Sequence, residues 1–294
     1  MAEDFSRLPV MKACSAPQTP LPPGAWDCHS HVFGPFDAYP LLESRRYDPP
    51  LSTGAQYLRM LDTVGFQHGV IVHPSAYGFD NACTGEALEL ASDRLRGVCV
   101  VDPATDEAEF QRLHARGFRA IRFTVTGARV RQYAGSLDFD DLKRLAPAMK
   151  ALGWHAQVWG TCAEIVKAAD DLAGCGVQVV FDHMGYFDIM AGPQGETFQA
   201  FLAMLRSDSF WVKTTPIRLT KTDPTYASVR PFHDLLLETA PDRALFGSDW
   251  PYLSLDDARP DTGRLVDLFD AWTADIELRT QVFVHNPARL YGAP

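Results

Sequence analysis

The sequence predicts an α/β fold, a single-domain (β/α)8 barrel of the TIM type. Three observations predict it. Eight short runs rich in valine, isoleucine and aromatics recur near residues 26–33, 69–75, 97–101, 118–124, 154–159, 177–182, 210–214 and 244–248. Segments of helical period separate most of these runs. No repeat and no linker-like shift in composition interrupts the 294-residue chain after residue 25, so the alternations share one unit of ordinary barrel size. A doubly wound open sheet would show the same alternation. It ranks second because no GxGxxG follows a strand and eight strands close a barrel.

Taken in order, residues 1–23 carry Pro9, Pro17, Pro20, Pro22 and Pro23 and are expected to form an irregular arm, with the barrel over 24–294. The first strand holds Trp26-Asp27-Cys28-His29-Ser30-His31-Val32-Phe33. In an extended run, Asp27, His29 and His31 share one face while Cys28 and Ser30 take the other. Helical periods follow at Ala55–Thr63 and Asp80–Asp93, around a second strand ending in His73 and Ser75. Asp106 opens a helix to Arg116 with Glu107 and Glu109 near its positive end, and Gly117 stops it. The fourth strand ends in Arg122, with Arg129 and Arg131 in the loop beyond. A helix over Phe139–Leu152 stops at Gly153, and the fifth strand places His155, Gln157 and Trp159 on one face. Helices over Ala163–Leu172, Glu196–Leu205 and Ser228–Glu238 alternate with strands delivering His183, Lys213 with Arg218 beyond it, and Asp249. A last helix runs from about Gly263 to Ala271.

A content of 46% hydrophobic and 22% charged residues is that of a globular protein. The net charge of −10 argues against nucleic acid or an anionic membrane as partner, while a small anionic substrate would need local arginines. Six scattered cysteines without a CxxC read as reduced thiols in a cytoplasmic protein. The N-terminus lacks a signal-peptide core, and no apolar run approaches the roughly 20 residues of a membrane span.

Barrel chemistry sits at the C-terminal strand ends, and there His29, His31, His183 and Asp249 fall together. Convergent imidazoles can hold a metal or donate hydrogen bonds to a carbonyl or anionic oxygen. Bland readings stand beside the sharp ones. His155 is as readily a core histidine as a ligand, Lys213 could point inward or snorkel, and Arg131 suits a solvated loop. Asp27 suits support of its neighbours, and Gly185 and Gly247 suit close turns at the mouth.

Asp27-Cys28-His29-Ser30-His31, Phe181-Asp182-His183-Met184-Gly185 and Gly247-Ser248-Asp249-Trp250-Pro251 together resemble the amidohydrolase superfamily, specifically its amidohydrolase-2 branch. Matches run from about Gly24 to Tyr291. Within the branch the chain is most similar to the 2-pyrone-4,6-dicarboxylate lactonases and related lactone hydrolases. The resemblance implies a barrel that opens a carboxylated lactone of the pyrone dicarboxylate, muconolactone or aldarolactone kind, in aromatic or sugar-acid catabolism. It implies Asp249 as the base that activates water, and His29, His31 and His183 as the groups that polarise the carbonyl. Ser75, Arg122, Arg129, Trp159, Arg218 and Tyr252 would bind substrate.

Departures from that pattern line the pocket. Trp159 replaces a tyrosine, Tyr252 stands where many relatives have histidine, and His73 where glutamine is usual. The loop before Arg129 is one residue longer. Arg122 occupies the place of the bridging lysine or glutamate of binuclear relatives, which argues against two metals. The resemblance implies no obligatory metal, although His29, His31, His183 and Asp249 could hold one zinc or manganese. Alternatives are a lactone isomerase, a metal-dependent decarboxylase of the same branch and, from another class, a barrel that only binds an acidic metabolite. A homo-oligomer is compatible with the sequence.

Overall fold

The computed structural model describes residues 13–125, 135–220, 222–255 and 258–292. Eight parallel strands lie in chain order: β1 (Trp26–Ser30), β2 (His68–Val72), β3 (Leu95–Cys99), β4 (Phe118–Val125), β5 (His155–Gly160), β6 (Val179–Phe181), β7 (Phe210–Lys213) and β8 (Ala244–Leu245). The chain after β8 returns to β1. Cys28 N donates to the Phe246 carbonyl at 2.9 Å, Asp249 N to that of His29 at 2.8 Å, and His31 N to that of Trp250 at 2.8 Å. These bonds close the ring, as the barrel expectation required.

Helices α1 (Gly54–Val64), α2 (Ala82–Glu89), α3 (Glu107–Ala115) and α4 (Phe139–Ala151) follow the first four strands. The expected helix after β5 is two pieces, α5 (Cys162–Lys167) and α6 (Ala169–Gly174), because Ala168 leaves helical geometry at φ −99° and ψ 10°. Helices α7 (Glu196–Leu205), α8 (Arg230–Thr239) and α9 (Thr262–Trp272) follow β6, β7 and β8. Local chemistry explains several boundaries. Thr53 and Gln56 form a capping box at α1, which ends at Gly65 with φ +97°, and Asp138 with Asp141 caps α4 in the same way.

Two short C-terminal helices, α10 (Ile276–Thr280) and α11 (Asn286–Tyr291), had no counterpart in the sequence reading. They are joined by a π-turn over Gln281–His285. Tyr291 is buried with Trp26, Val70, Val98, Trp211 and Leu245 in the apolar filling of the barrel, so α11 acts as its floor. Most other apolar side chains pack between strands and helices. No helix among the described residues is long and apolar enough to cross a membrane.

The first strand corrects the parity reading. Its register against β2 shifts between Asp27 and Ser30. Cys28 joins the barrel filling and His29 also faces inward, whereas Asp27 turns toward α1 and accepts from Tyr57 Oη at 3.1 Å. Ser248 N and Oγ, each at 2.7 Å, hold the same carboxylate. A bulge absorbs one residue, so Asp27 and His29 no longer share a face. Asp27 nevertheless supports the site, by tying β1 to the chain after β8.

Candidate active site

The strand ends enclose a mouth cavity of about 300 Å³. His31, Arg122, Trp159, His183, Arg218 and Asp249 line it, with Ser75, Arg46, Tyr47 and Tyr186. The loops that deliver two of these groups carry strained backbone. His183 has φ +48° and Asp249 φ +62°, left-handed values that side-chain-bearing residues rarely adopt. Gly247 is required for a different reason. A Cβ there would lie 2.7 Å from His29 Cβ, so only glycine lets the chain after β8 approach β1.

Asp249 is fully buried. Its Oδ2 accepts from Arg218 Nε at 2.5 Å, while Oδ1 lies 3.5 Å from His31 Nε2 and 3.7 Å from His29 Nε2. Burial by itself would raise this carboxyl, but Arg218, then His183, His31 and His29, outweigh it and hold Asp249 well below the usual carboxylate range. All three histidines are pushed the other way. Burial lowers His31, and burial with the nearby Lys213 lowers His29 well below the ordinary imidazole value. Burial takes His183 down to about 4. Near neutral pH the site therefore presents three neutral imidazoles and one anion.

Beneath this layer lies a second polar cluster inside the barrel. Lys213, fully buried, donates to Gln157 Oε1 at 2.7 Å and stands 3.1 Å from His29 Nδ1 and 3.3 Å from Asp182 Oδ1. Asp182 Oδ2 accepts from Arg122 Nη2 and Gln157 Nε2, each at 3.2 Å. Burial opposes the charge on Asp182, but Lys213, His29 and Arg122 overcome it and keep the carboxyl well below its ordinary range.

The structure brings together His29, His31, His183, Asp249, Ser75, Arg122, Trp159 and Arg218. Tyr252 is corrected: it is buried away from the mouth, its hydroxyl bonded to Thr262 on α9, because φ +65° turns it out of the pocket. Arg129 and Arg131 lie outside the described residues. His155 is buried within the barrel, with neither ring nitrogen hydrogen-bonded among the described residues. His73 bonds the Gly78 carbonyl at 2.9 Å and does not line the mouth. Arg46 and Tyr47 were missed, since an irregular loop after β1 carries no periodic signal. Asp182, Gln157 and Lys213 had a usable signal, being polar residues at inward parity in otherwise apolar strands.

The metal question can be put to this geometry. His29 Nε2, His183 Nδ1 and Asp249 Oδ1 are buried polar atoms without a hydrogen-bond partner among the described residues. His29, His31 and Asp249 offer ligand atoms within 4.8 Å of one another, as do His29, Asp182 and His183. The donor types fit one divalent ion.

An eightfold parallel barrel with histidines at the ends of β1 and β6 and a carboxylate after β8 is the active-site layout of a barrel enzyme. Residues 26–293 match the family model described as Amidohydrolase, and the chain belongs to that family. It is 35% identical to a 2-pyrone-4,6-dicarboxylate hydrolase of Comamonas testosteroni over 94% of this chain and 93% of the relative. It is 34% identical to a 4-sulfomuconolactone hydrolase of Rhizobium radiobacter, over 96% and 94%. A solved structure of a probable 2-pyrone-4,6-dicarboxylic acid hydrolase from Acinetobacter baumannii, with citric acid bound, superposes with a TM-score of 0.80 at 25% identity. That match covers 92% of this chain and 99% of the other.

Proposed function

We propose that the protein is a lactonase that hydrolyses the ring ester of a small carboxylated lactone. The observation that carries this reading is the buried Asp249 carboxylate facing neutral His29 and His31 beneath a mouth that presents Arg122 and Arg218. The substrate's carboxylates pair with those forked guanidiniums, for which a lysine would be a poorer fit, and with Ser75. Trp159 supplies an indole face and an N–H donor at the rim.

Water attacks the ring carbonyl, its proton passes to Asp249, and the ring C–O bond breaks with the leaving oxygen taking a proton. Asp249 as it stands is a feeble base because Arg218 holds it. A substrate carboxylate that draws on Arg218 loosens that hold and raises Asp249 toward useful basicity. His29 and His183 donate to the developing oxyanion. His31, whose Nδ1–H donates to the Val72 carbonyl at 2.8 Å, turns Nε2 toward Asp249 as an acceptor suited to orienting the water. If a single zinc or manganese is bound, His31, His183 and Asp249 would hold it, joined by His29 only in its Nδ1–H tautomer, and it would supply Lewis-acid polarisation of the carbonyl.

The test is incubation of pure protein with pyrone dicarboxylate, muconolactones and aldarolactones, following ring opening and acid release. Ring migration without acid release would mean an isomerase. Decarboxylation of a muconate semialdehyde with every lactone untouched would mean a decarboxylase. Asp249→Asn should lower kcat about 10²- to 10⁴-fold with substrate affinity nearly unchanged. Retention of most turnover would remove Asp249 as the base.

A further inference from the structure

Two histidines two residues apart are backed by opposite chemistry. Behind His31, the Val72 carbonyl lies 2.8 Å from Nδ1. A carbonyl only accepts, so Nδ1 of a neutral His31 carries the proton and Nε2 keeps its lone pair. Behind His29, the group in hydrogen-bonding geometry with Nδ1 is Lys213 Nζ at 3.1 Å. An ammonium has three donors and no acceptor. Its other neighbours are acceptors too, Gln157 Oε1 in a hydrogen bond at 2.7 Å and Asp182 Oδ1 in an ion pair at 3.3 Å.

Asp182 Oδ1 also lies 3.2 Å from His29 Nδ1 and could in principle receive a proton from it. That contact falls outside hydrogen-bonding geometry, however, and acts as an ion-pair attraction, whereas Lys213 Nζ meets the geometry at 3.1 Å. Gln157 reinforces the arrangement by spanning the pair, its oxygen on Lys213 and its nitrogen on Asp182 Oδ2 at 3.2 Å.

We propose that Lys213 is a positioning residue that holds His29 in its Nε2–H tautomer, so that His29 donates a hydrogen bond into the mouth instead of ligating a metal. A ligating imidazole needs an acceptor behind it, which frees the lone pair facing the ion. His31 has that backing and His29 has the reverse. The inward Nε2–H, without a hydrogen-bond partner among the described residues and 3.7 Å from Asp249 Oδ1, is then available to a substrate oxygen bound beside Asp249. The step this serves rests on the lactonase reading above, but the tautomer itself does not.

The experiment uses the full-length protein. Long-range proton–nitrogen correlation spectra, with the His29 signals identified by difference from His29→Gln, report which ring nitrogen is protonated. Wild-type protein should show protonated Nε2 and bare Nδ1. Lys213→Met should release the Nδ1–H form and tighten zinc binding, read by competition with a chromophoric chelator, by about 10- to 100-fold. In the same variant kcat on the opened lactone should fall about 10²- to 10³-fold with KM little changed. Lys213→Arg, which keeps a donor, should hold the wild-type tautomer.

Because Lys213→Met leaves Asp182 buried and unpaired, Lys213→Met/Asp182→Asn provides a neutral second variant if the first does not fold. Protonated Nδ1 in the wild type, or an unchanged tautomer and zinc affinity in the folded variants, overturns the proposal. If no lactone is opened while the tautomer and zinc results hold, the lactonase reading fails and the role of Lys213 stands.

Discussion

At Asp249 the electrostatics run against first expectation. An aspartate meant as a base should be raised toward neutrality, yet Arg218 at 2.5 Å and the surrounding imidazoles hold it well below its ordinary range. The free enzyme thus keeps Asp249 ionised at any working pH, and the arriving anion has to supply the basicity. The histidines bear on the same profile. With His183 near 4 and His29 and His31 also lowered, kcat/KM should show no inflection at the ordinary histidine value of about 6.5. Activity should decline on the acid side of that value, with His183 gaining its proton near pH 4. A pH–rate profile at subsaturating substrate checks this. Arg122→Met should raise KM about 10- to 100-fold, the worth of a charge-assisted pair, and Arg122→Lys should restore little because the fork is lost.

The elements that matter are the stretches just past the strands. The bulge in β1, the left-handed residues after β6 and β8, and the glycine contact at Gly247 together bring His29, His183 and Asp249 to one point. Gly247→Ala puts a Cβ 2.7 Å from His29 Cβ, between two backbones already hydrogen-bonded to each other. Overpacking of this kind costs about 1–3 kcal/mol. The variant should lose a comparable amount of stability in urea titration, and activity beyond that loss because His29 is displaced. The strand and helix periods were legible in the chain. The bulge was not, because an alternating pattern cannot show where one residue is absorbed, and that is why Asp27 was assigned the face of His29. Tyr252, which the family resemblance implied as a substrate contact, has φ +65° in the stretch after β8 and bonds Thr262 instead of lining the mouth.

For the whole molecule, two buried carboxylates respond to acid with opposite sign. Asp182 is held well below its ordinary value, so its stabilisation is complete above the unfolded value of about 3.9 and is lost as pH falls through the lower folded one. Burial raises Asp27 to about 6 despite the bonds from Ser248. The folded state therefore holds a proton there that the unfolded chain has released, and Asp27 costs stability above about pH 6, on the order of 3 kcal/mol. That cost shrinks as pH falls from about 6 to about 4. Over the same range the buried histidines, His183 at about 4 among them, lose stability because the unfolded chain takes up protons that they refuse, so urea midpoints should fall on acidification below about pH 6.5 and Asp27→Asn should make that fall steeper.

The barrel, the family and most members of the mouth are legible in the chain alone. Strand period, helix period and three short motifs are local properties, and placing residues at the C-terminal ends of parallel strands is enough to bring them together. The tertiary structure decided what those residues are in chemical terms. Whether His29 donates or accepts depends on Lys213, which lies 184 positions away in the chain and 3.1 Å away in space. Whether Asp249 is a strong or a weak base depends on Arg218, and Arg46 and Tyr47 enter the mouth only because an irregular loop folds over it. Tautomer, charge and basicity are set by neighbours across the barrel, and neighbours of that kind are written in no local stretch of chain.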